Sequence, residues 1–220
     1  MFNTLILPLI ICIVPILFFS VLLIAGPKIK FWKVLFGILL GLCAFFPVQL
    51  VDEYGVRNLI PPYYPTRIAF ISFVFLAELI KGACITPLSG KKNTALNFLL
   101  ISMLAGLTFG CGQSFVEYLN EAGKAFSKGA QLLWLPLILK FILIDLINMA
   151  CTGLAGLFIF TCKNKTPKWL LVLYPFVLRA LFEFFNVKLG IKWFSIAVVL
   201  LALLECRIKY KAISNTNDDL

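Results

Sequence analysis

The sequence predicts an all-α protein, a polytopic membrane helix bundle of about seven transmembrane helices. Of its 220 residues, 61% are hydrophobic and 14% are charged, and the mean hydropathy is +1.00, far above that of a soluble domain. Apolar runs of about 17–25 residues, long enough to cross a bilayer as helices, recur along the chain. Since too few residues remain between them for a water-soluble domain, residues 1–213 are predicted to form one integral membrane domain.

Seven apolar runs define the predicted spans, and short polar or proline-containing connections separate them. The first run lacks the basic leader and small-residue cleavage pattern of a signal peptide, so we interpret it as a retained span. The last run is followed by a polar tail, 214–220, that is expected to be disordered. The predicted spans cover residues 4–25, 34–51, 67–86, 94–115, 131–161, 169–187 and 191–208.

The lysine and arginine residues between the spans predict the orientation. With the N-terminus outside, the basic groups around Lys28, Lys91, Lys163 and Lys209 face the cytoplasm, and fewer basic residues face the other side. The sequence therefore predicts an N-out, C-in protein that is integral to the cytoplasmic (plasma) membrane of a bacterium. The net charge of +10 indicates contact with anionic lipids of the bilayer and not with nucleic acid.

Residues that commonly carry metal or acid–base chemistry are scarce in this sequence. Histidine, the commonest general base and metal ligand, does not occur. The seven cysteines are scattered over the spans without a Cys-x-x-Cys pair, so they are interpreted as small apolar residues. We therefore expect no metal site and no cofactor.

Charged side chains within the spans are the strongest functional signal, because each costs roughly 2.5–3.5 kcal/mol near the bilayer centre. Glu78 and Lys81 are three residues apart in the third span and share one helix face. Arg179 and Glu183 are four residues apart in the sixth span and can pair on their own helix, although pairing with another helix is equally compatible with the sequence. Asp145 lies within the fifth span.

Polar side chains also occur in the fourth and fifth spans. Gln113 and Ser114 follow a glycine-rich stretch that favours close packing of neighbouring helices. Asn148, Thr152 and Gly156 recur every four residues, so they lie on one face of the fifth span. Taken singly, each group is explained by helix packing with a hydrogen bond.

The order of these groups resembles the PrsW family of intramembrane proteases, which is related to the CAAX-protease and bacteriocin-immunity group. The family pattern is Glu-Glu-x-x-Lys, Gly-x-x-Phe-x-x-x-Glu-Asn, His-x-x-x-Thr-x-x-x-Gly and His-x-x-x-Asn, each on a separate span. The resemblance covers about residues 67–187. The corresponding positions of this chain are Ala77, Glu78, Lys81, Gly106, Phe109, Gln113, Ser114, Asn148, Thr152, Gly156, Phe182 and Asn186.

Most of the catalytic positions implied by the resemblance are replaced. Ala77 stands in place of one of the paired glutamates, Gln113 in place of a later glutamate, and Asn148 and Phe182 in place of the two histidines. The resemblance implies that glutamate and histidine activate water, with or without a metal. Glutamine cannot act as a base, and asparagine is a poor proton carrier at neutral pH. One carboxylate without histidine is also too few ligands for zinc.

These replacements predict a catalytically degenerate member, a pseudoenzyme, that binds a transmembrane segment or a lipidic ligand in the former active-site cleft. The alternatives are an active protease with a rearranged glutamate-based site, a small transporter or channel component, and a scaffold subunit. In an active protease, Glu78 would be the catalytic base, helped by Asp145 or Glu183. The supporting positions would be Lys81, Gln113, Ser114, Asn148, Thr152 and Asn186. The resemblance further implies that Glu78, Gln113, Asn148 and Phe182 converge on one cavity.

Overall fold

The computed structural model of the chain describes residues 2–51, 66–88, 94–127, 134–164, 168–185 and 192–218. Within these ranges the protein is all-α, as its composition predicts, and it forms seven helices. In chain order they are α1 (Phe2–Ala25), α2 (Phe31–Leu50), α3 (Thr66–Ile85), α4 (Ala95–Ser127), α5 (Trp134–Lys163), α6 (Leu170–Glu183) and α7 (Lys192–Asp218).

Two helices extend well beyond the ends that the sequence predicts. Helix α4 continues from residue 115 to Ser127, and Tyr118 in this extension is buried against Phe141 of α5. Helix α7 continues from residue 208 to Asp218, and its Ile213 packs into the main core. Residues 214–218, which the sequence assigns to a polar tail, therefore belong to α7. In both helices, tertiary contacts continue where the hydropathy falls.

Three helical segments among the described residues are long and apolar enough to cross a membrane. They are Phe31–Leu50 of α2, Ala95–Gly123 of α4 and Leu137–Lys163 of α5. Helix α1 contributes a shorter apolar segment, Cys12–Ala25. These helices support association with a membrane, whereas the crossing of the bilayer by all seven helices stays a prediction.

Helices α4 and α5 form the centre of the bundle. About 72% of the apolar stretch of α4 and 78% of that of α5 is buried, compared with 33% for α2. Helices α1 and α2 pack against α4, and α6 and α7 pack against α5. Helix α3 contacts α2 on one side and α5 and α6 on the other, so α3, α4, α5 and α6 surround a common space.

Glycines of α4 bring its backbone against α5. A Cβ atom on Gly106 would lie 2.4 Å from the carbonyl oxygen of Asn148, and one on Gly110 would lie 2.8 Å from the Cα atom of Asp145. Small residues permit such close helix crossings in membrane proteins. As a consequence, the side chain of Asn148 reaches Gln113 of α4 directly.

Polar contacts at the helix ends fix the relative direction of α3, α4 and α5. Lys163, at the end of α5, donates hydrogen bonds to the carbonyl oxygens of Thr86 and Leu88, which follow α3. The C-terminal ends of α3 and α5 therefore lie together, at what we call the Lys163 end of the bundle. At the opposite end, the Glu117 end, Glu117 of α4 pairs with Lys140 near the start of α5.

Candidate functional site

A cavity of about 390 Å³ lies between α3, α4, α5 and α6. It begins at the level of Asn148, the middle of α5, and extends towards the Glu117 end. We call it the polar cavity. Its polar lining consists of Glu78, Lys81, Gln113, Glu117, Asn148, Arg179 and Glu183, and its apolar lining of Phe73, Val74, Ala77 and Phe109.

Helix α3 contributes a buried ion pair to this cavity. Lys81 pairs with Glu78, and the two residues are 2% and 3% exposed. The Nζ atom of Lys81 also donates to Asn148 Oδ1 at 2.9 Å and lies 4.9 Å from the centroid of the Phe109 ring. A carboxylate, an amide oxygen and an aromatic face therefore enclose this ammonium group, each of them a favourable partner for a cation.

Asn148 connects this ion pair to the opposite side of the cavity. Its Nδ2 atom donates to Gln113 Oε1 at 2.9 Å and to the carbonyl oxygen of Ile144 at 2.8 Å. Gln113 Oε1 also accepts from Arg179 Nη2 at 3.1 Å, and Arg179 pairs with Glu183 at 2.6 Å. One continuous network therefore joins Glu78, Lys81, Asn148, Gln113, Arg179 and Glu183 across four helices.

The charges of the polar cavity occur in pairs of opposite sign. Glu78 pairs with Lys81 and Arg179 with Glu183, each within one helix. The remaining cavity carboxylate, Glu117, pairs with Lys140 across helices. Because each acid faces a base, the network avoids the large penalty of an isolated charge in an apolar surrounding.

Two buried atoms of the network lack hydrogen-bond partners among the described residues. They are Glu78 Oε2, an acceptor, and Arg179 Nη1, a donor. Glu78 is 3% and Arg179 7% exposed, and both line the polar cavity. Since an unsatisfied buried polar group costs about 1–3 kcal/mol, these atoms are suited to a ligand that offers one donor and one acceptor.

Four predicted site residues, Glu78, Lys81, Gln113 and Asn148, share the polar cavity. Thr152, which lies on the same face of α5 as Asn148, packs instead against Gly106 of α4, and its hydroxyl has no partner among the described residues. Asn186 lies outside the residues that the structure describes.

Ser114 and Asp145 form a separate buried contact. Ser114 Oγ donates to Asp145 Oδ1 at 2.8 Å, and Cys111 Sγ donates to Asp145 Oδ2 at 3.5 Å. Neither Ser114 nor Asp145 lines the polar cavity. The expectation that Asp145 assists Glu78 is therefore not supported, whereas Glu183 does share the cavity with Glu78.

Phe182 does not line the polar cavity either. Its side chain is fully buried in the main core, with the guanidinium group of Arg179 5.7 Å from its ring centroid. Of the four positions expected to converge, Glu78, Gln113 and Asn148 do so. On α6 the cavity is lined by Arg179 and Glu183, on either side of Phe182 in the sequence.

Sequence reasoning missed Glu117, which it placed in a connection because the fourth span was predicted to end at residue 115. In the structure α4 continues, and Glu117 lies four residues after Gln113 on the same helix face. That spacing is the signal that would have identified it. The spacing of Arg179 and Glu183 permits their pairing, but the contact of Arg179 with Gln113 depends on tertiary packing.

The donor set of the polar cavity does not fit the metal that the resemblance allows. Among the described residues, no three His, Cys, Asp or Glu side chains lie close enough together to hold a metal ion. The three carboxylates of the cavity each face a base, which competes with a metal for them. The chain matches no protein-family model, no curated protein and no solved structure.

Proposed function

We propose that this protein is a catalytically degenerate relative of PrsW-type intramembrane proteases that binds a transmembrane segment of another protein in the polar cavity. The observation that carries this proposal is the pair of unsatisfied atoms, Glu78 Oε2 and Arg179 Nη1, in a cavity of paired charges that extends from the middle of the helices towards the Glu117 end. A peptide group supplies the complementary N–H donor and C=O acceptor. A lipidic ligand with an amide group is the second candidate for the same cavity.

A locally unwound transmembrane helix needs such a site. In the bilayer core every backbone N–H and C=O group must find a partner within protein, because the hydrocarbon offers none. Glu78 Oε2 can accept from an exposed N–H group, and Arg179 Nη1 can donate to an exposed carbonyl oxygen. The bound segment and the cavity thereby satisfy each other's unpaired groups.

The pairing of the polar groups supports loss of proteolytic activity. Glu78 Oε1 is held by Lys81, which favours the role of an ion-pair partner over that of a general base. Gln113 and Asn148, at positions where the resembled family has glutamate and histidine, hydrogen-bond to each other and cannot activate water. The meeting of Glu78, Gln113 and Asn148 in one cavity supports the resemblance itself.

Binding can be tested with protein in nanodiscs and synthetic Leu/Ala segments of about 20 residues, with or without a central Gly-Pro break. We expect the broken segment to bind about tenfold more tightly and to stay intact, because two hydrogen bonds contribute of order 1–2 kcal/mol. Arg179→Lys keeps the charge but removes Nη1, together with the Nη2 bond to Gln113. Because Glu78 Oε2 remains, this variant should reduce the preference to about threefold. Arg207→Lys, at an exposed site on α7, is the matched control. Equal binding of both segments by the wild-type protein would contradict the proposal.

An active protease with a rearranged glutamate-based site is the second candidate function. It is favoured by the presence of Glu117 and Glu183 in the same cavity as Glu78, since paired carboxylates can serve as acid and base. This alternative would be established if the wild-type protein cleaves the broken segment, the Glu78→Gln variant does not, and the Asp145→Asn variant still does. Asp145 is a suitable control because it is buried outside the cavity.

We further propose that all seven helices cross the cytoplasmic membrane, with the N-terminus outside and the C-terminus inside. The shared direction of α3 and α5 and the opposite direction of α4 support alternate crossings. In this orientation the polar cavity extends from the bilayer centre towards the outside. A transporter or channel has less support. The cavity that adjoins the polar cavity towards the Lys163 end is almost entirely apolar, so no polar path continues in that direction.

A further inference from the structure

A second cavity, of about 300 Å³, lies between α3, α5 and α6. We call it the apolar groove. It runs from Glu78 to Thr86 along α3, towards the Lys163 end, and its walls include Leu79, Phe158, Ile159 and Phe176. Leu79 is 45% exposed, so the groove opens at the surface between α3 and α6.

Glu78 lines both the apolar groove and the polar cavity. Its Oε1 atom is held by Lys81, and its Oε2 atom is the unsatisfied acceptor described above. The two cavities therefore meet at a hydrogen-bonding group. A ligand that engages Glu78 through a polar group can at the same time place an adjoining apolar group in the groove.

The depth of Glu78 favours a peptide over a phospholipid as the occupant. Glu78 belongs to the network of Asn148, which lies in the middle of α5. The ester and headgroup atoms of a phospholipid lie about 15 Å from the bilayer centre, half the hydrocarbon thickness. A transmembrane segment carries peptide groups at every depth and side chains directly beside them.

We propose that the apolar groove is a specificity subsite for a bulky aliphatic or aromatic side chain of the bound transmembrane segment. This side chain adjoins the peptide group that Glu78 and Arg179 engage, so the inference rests on the proposed function. The selectivity comes from packing, because lipid and groove are similarly apolar and transfer between them provides little driving force. A small side chain leaves the groove partly unfilled and forfeits van der Waals contacts.

Gly82 offers a means of closing the groove without disturbing the fold. It lines the groove, and a Cβ atom added to it would meet no atom within 4 Å. The side chain introduced by Gly82→Phe is therefore expected to occupy the groove itself. Gly123 of α4 also has open space around its Cα and lines neither cavity, so Gly123→Phe is the matched control.

The test measures binding of two broken segments, with Phe or Ala next to the Gly-Pro break, by energy transfer in nanodiscs. We expect the wild-type protein and Gly123→Phe to prefer the Phe segment about tenfold. Gly82→Phe should bind both segments as tightly as the wild type binds the Ala segment. Arg179→Lys should weaken the binding of both segments by the same factor.

The results of this test separate the subsite from the proposed function. If the wild-type protein binds the Phe and Ala segments equally, yet both more tightly than an unbroken segment, the subsite is wrong and the proposed function stands. If broken and unbroken segments bind equally, both the subsite and the proposed function are wrong. A third result would also overturn the subsite. If a phosphatidylcholine with a diazirine-labelled acyl chain labels the groove, and the Phe segment does not displace it, the groove holds a lipid chain.

Discussion

Asn148 is the residue on which the buried network depends. Its amide accepts from Lys81 and donates to Gln113, so it joins an ion pair on α3 to one on α6. An amide is suited to this position because it offers both a donor and an acceptor without adding charge. At this position the amide of Asn148 can therefore bridge its neighbours, but it cannot transfer protons as an imidazole does.

At the residue scale, Lys81→Met is expected to destabilise the protein by about 3–5 kcal/mol, because it leaves Glu78 as an unpaired buried charge. The double variant Glu78→Gln/Lys81→Met should recover much of this loss. Unfolding of the detergent-solubilised protein by sodium dodecyl sulfate measures both effects.

Lys140→Met provides the matched control, because Lys140 also pairs with a glutamate, Glu117, but about a third of each side chain is exposed. An exposed pair contributes less than about 1 kcal/mol, so this variant should be near neutral. Equal losses for Lys81→Met and Lys140→Met would show that burial of the Glu78–Lys81 pair is energetically unimportant.

At the scale of helices, the contact between α4 and α5 sets the geometry of the site. The glycines of α4 allow its backbone to touch α5, which brings Gln113 within hydrogen-bonding distance of Asn148. A wider separation of the two helices would break this bond and isolate the α3 ion pair from Arg179. Helix packing and the polar network are therefore coupled.

Gly106→Ala tests this coupling. The added methyl group would lie 2.4 Å from the carbonyl oxygen of Asn148, so we expect a loss of about 1–3 kcal/mol from overpacking. Gly123→Ala, in the same helix but with open space, should instead stabilise by up to about 1 kcal/mol through helix propensity. The measurement is again unfolding in detergent, and a neutral Gly106→Ala would argue against the close crossing.

At the scale of the whole molecule, the proposed topology places the N-terminus and the C-terminus on opposite sides of the membrane. We expect green fluorescent protein fused after Leu220 to fluoresce in a bacterial host, and alkaline phosphatase at the same position to be inactive. The phosphatase needs the disulfides that form outside the cytoplasm. An active phosphatase fused after Leu220 would contradict the C-in orientation. A second fusion, with the phosphatase after Gly190, is expected to be active because the connection between α6 and α7 would lie outside.

The sequence by itself determined the all-α class and which charged residues share a helix face. The spacing of Glu78 and Lys81, and of Arg179 and Glu183, permits pairing within one helix because the helical period fixes which residues share a face, and the structure shows that both pairs form in this way. It also drew attention to Gln113 and Asn148, both of which line the polar cavity in the structure. It could not extend α4 to Glu117, because the hydropathy falls there while burial of Tyr118 against α5 continues.

Only the tertiary structure decided which polar groups meet. Hydrogen bonds join Lys81 of α3 to Asn148 of α5, and Arg179 of α6 to Gln113 of α4, across long separations in the chain. The meeting of the two cavities at Glu78 likewise depends on residues from several helices. The helical period fixes the face on which a residue lies but not the helix that this face meets. That choice results from the packing of the whole bundle, in which single contacts such as that of Gly106 with α5 set the register.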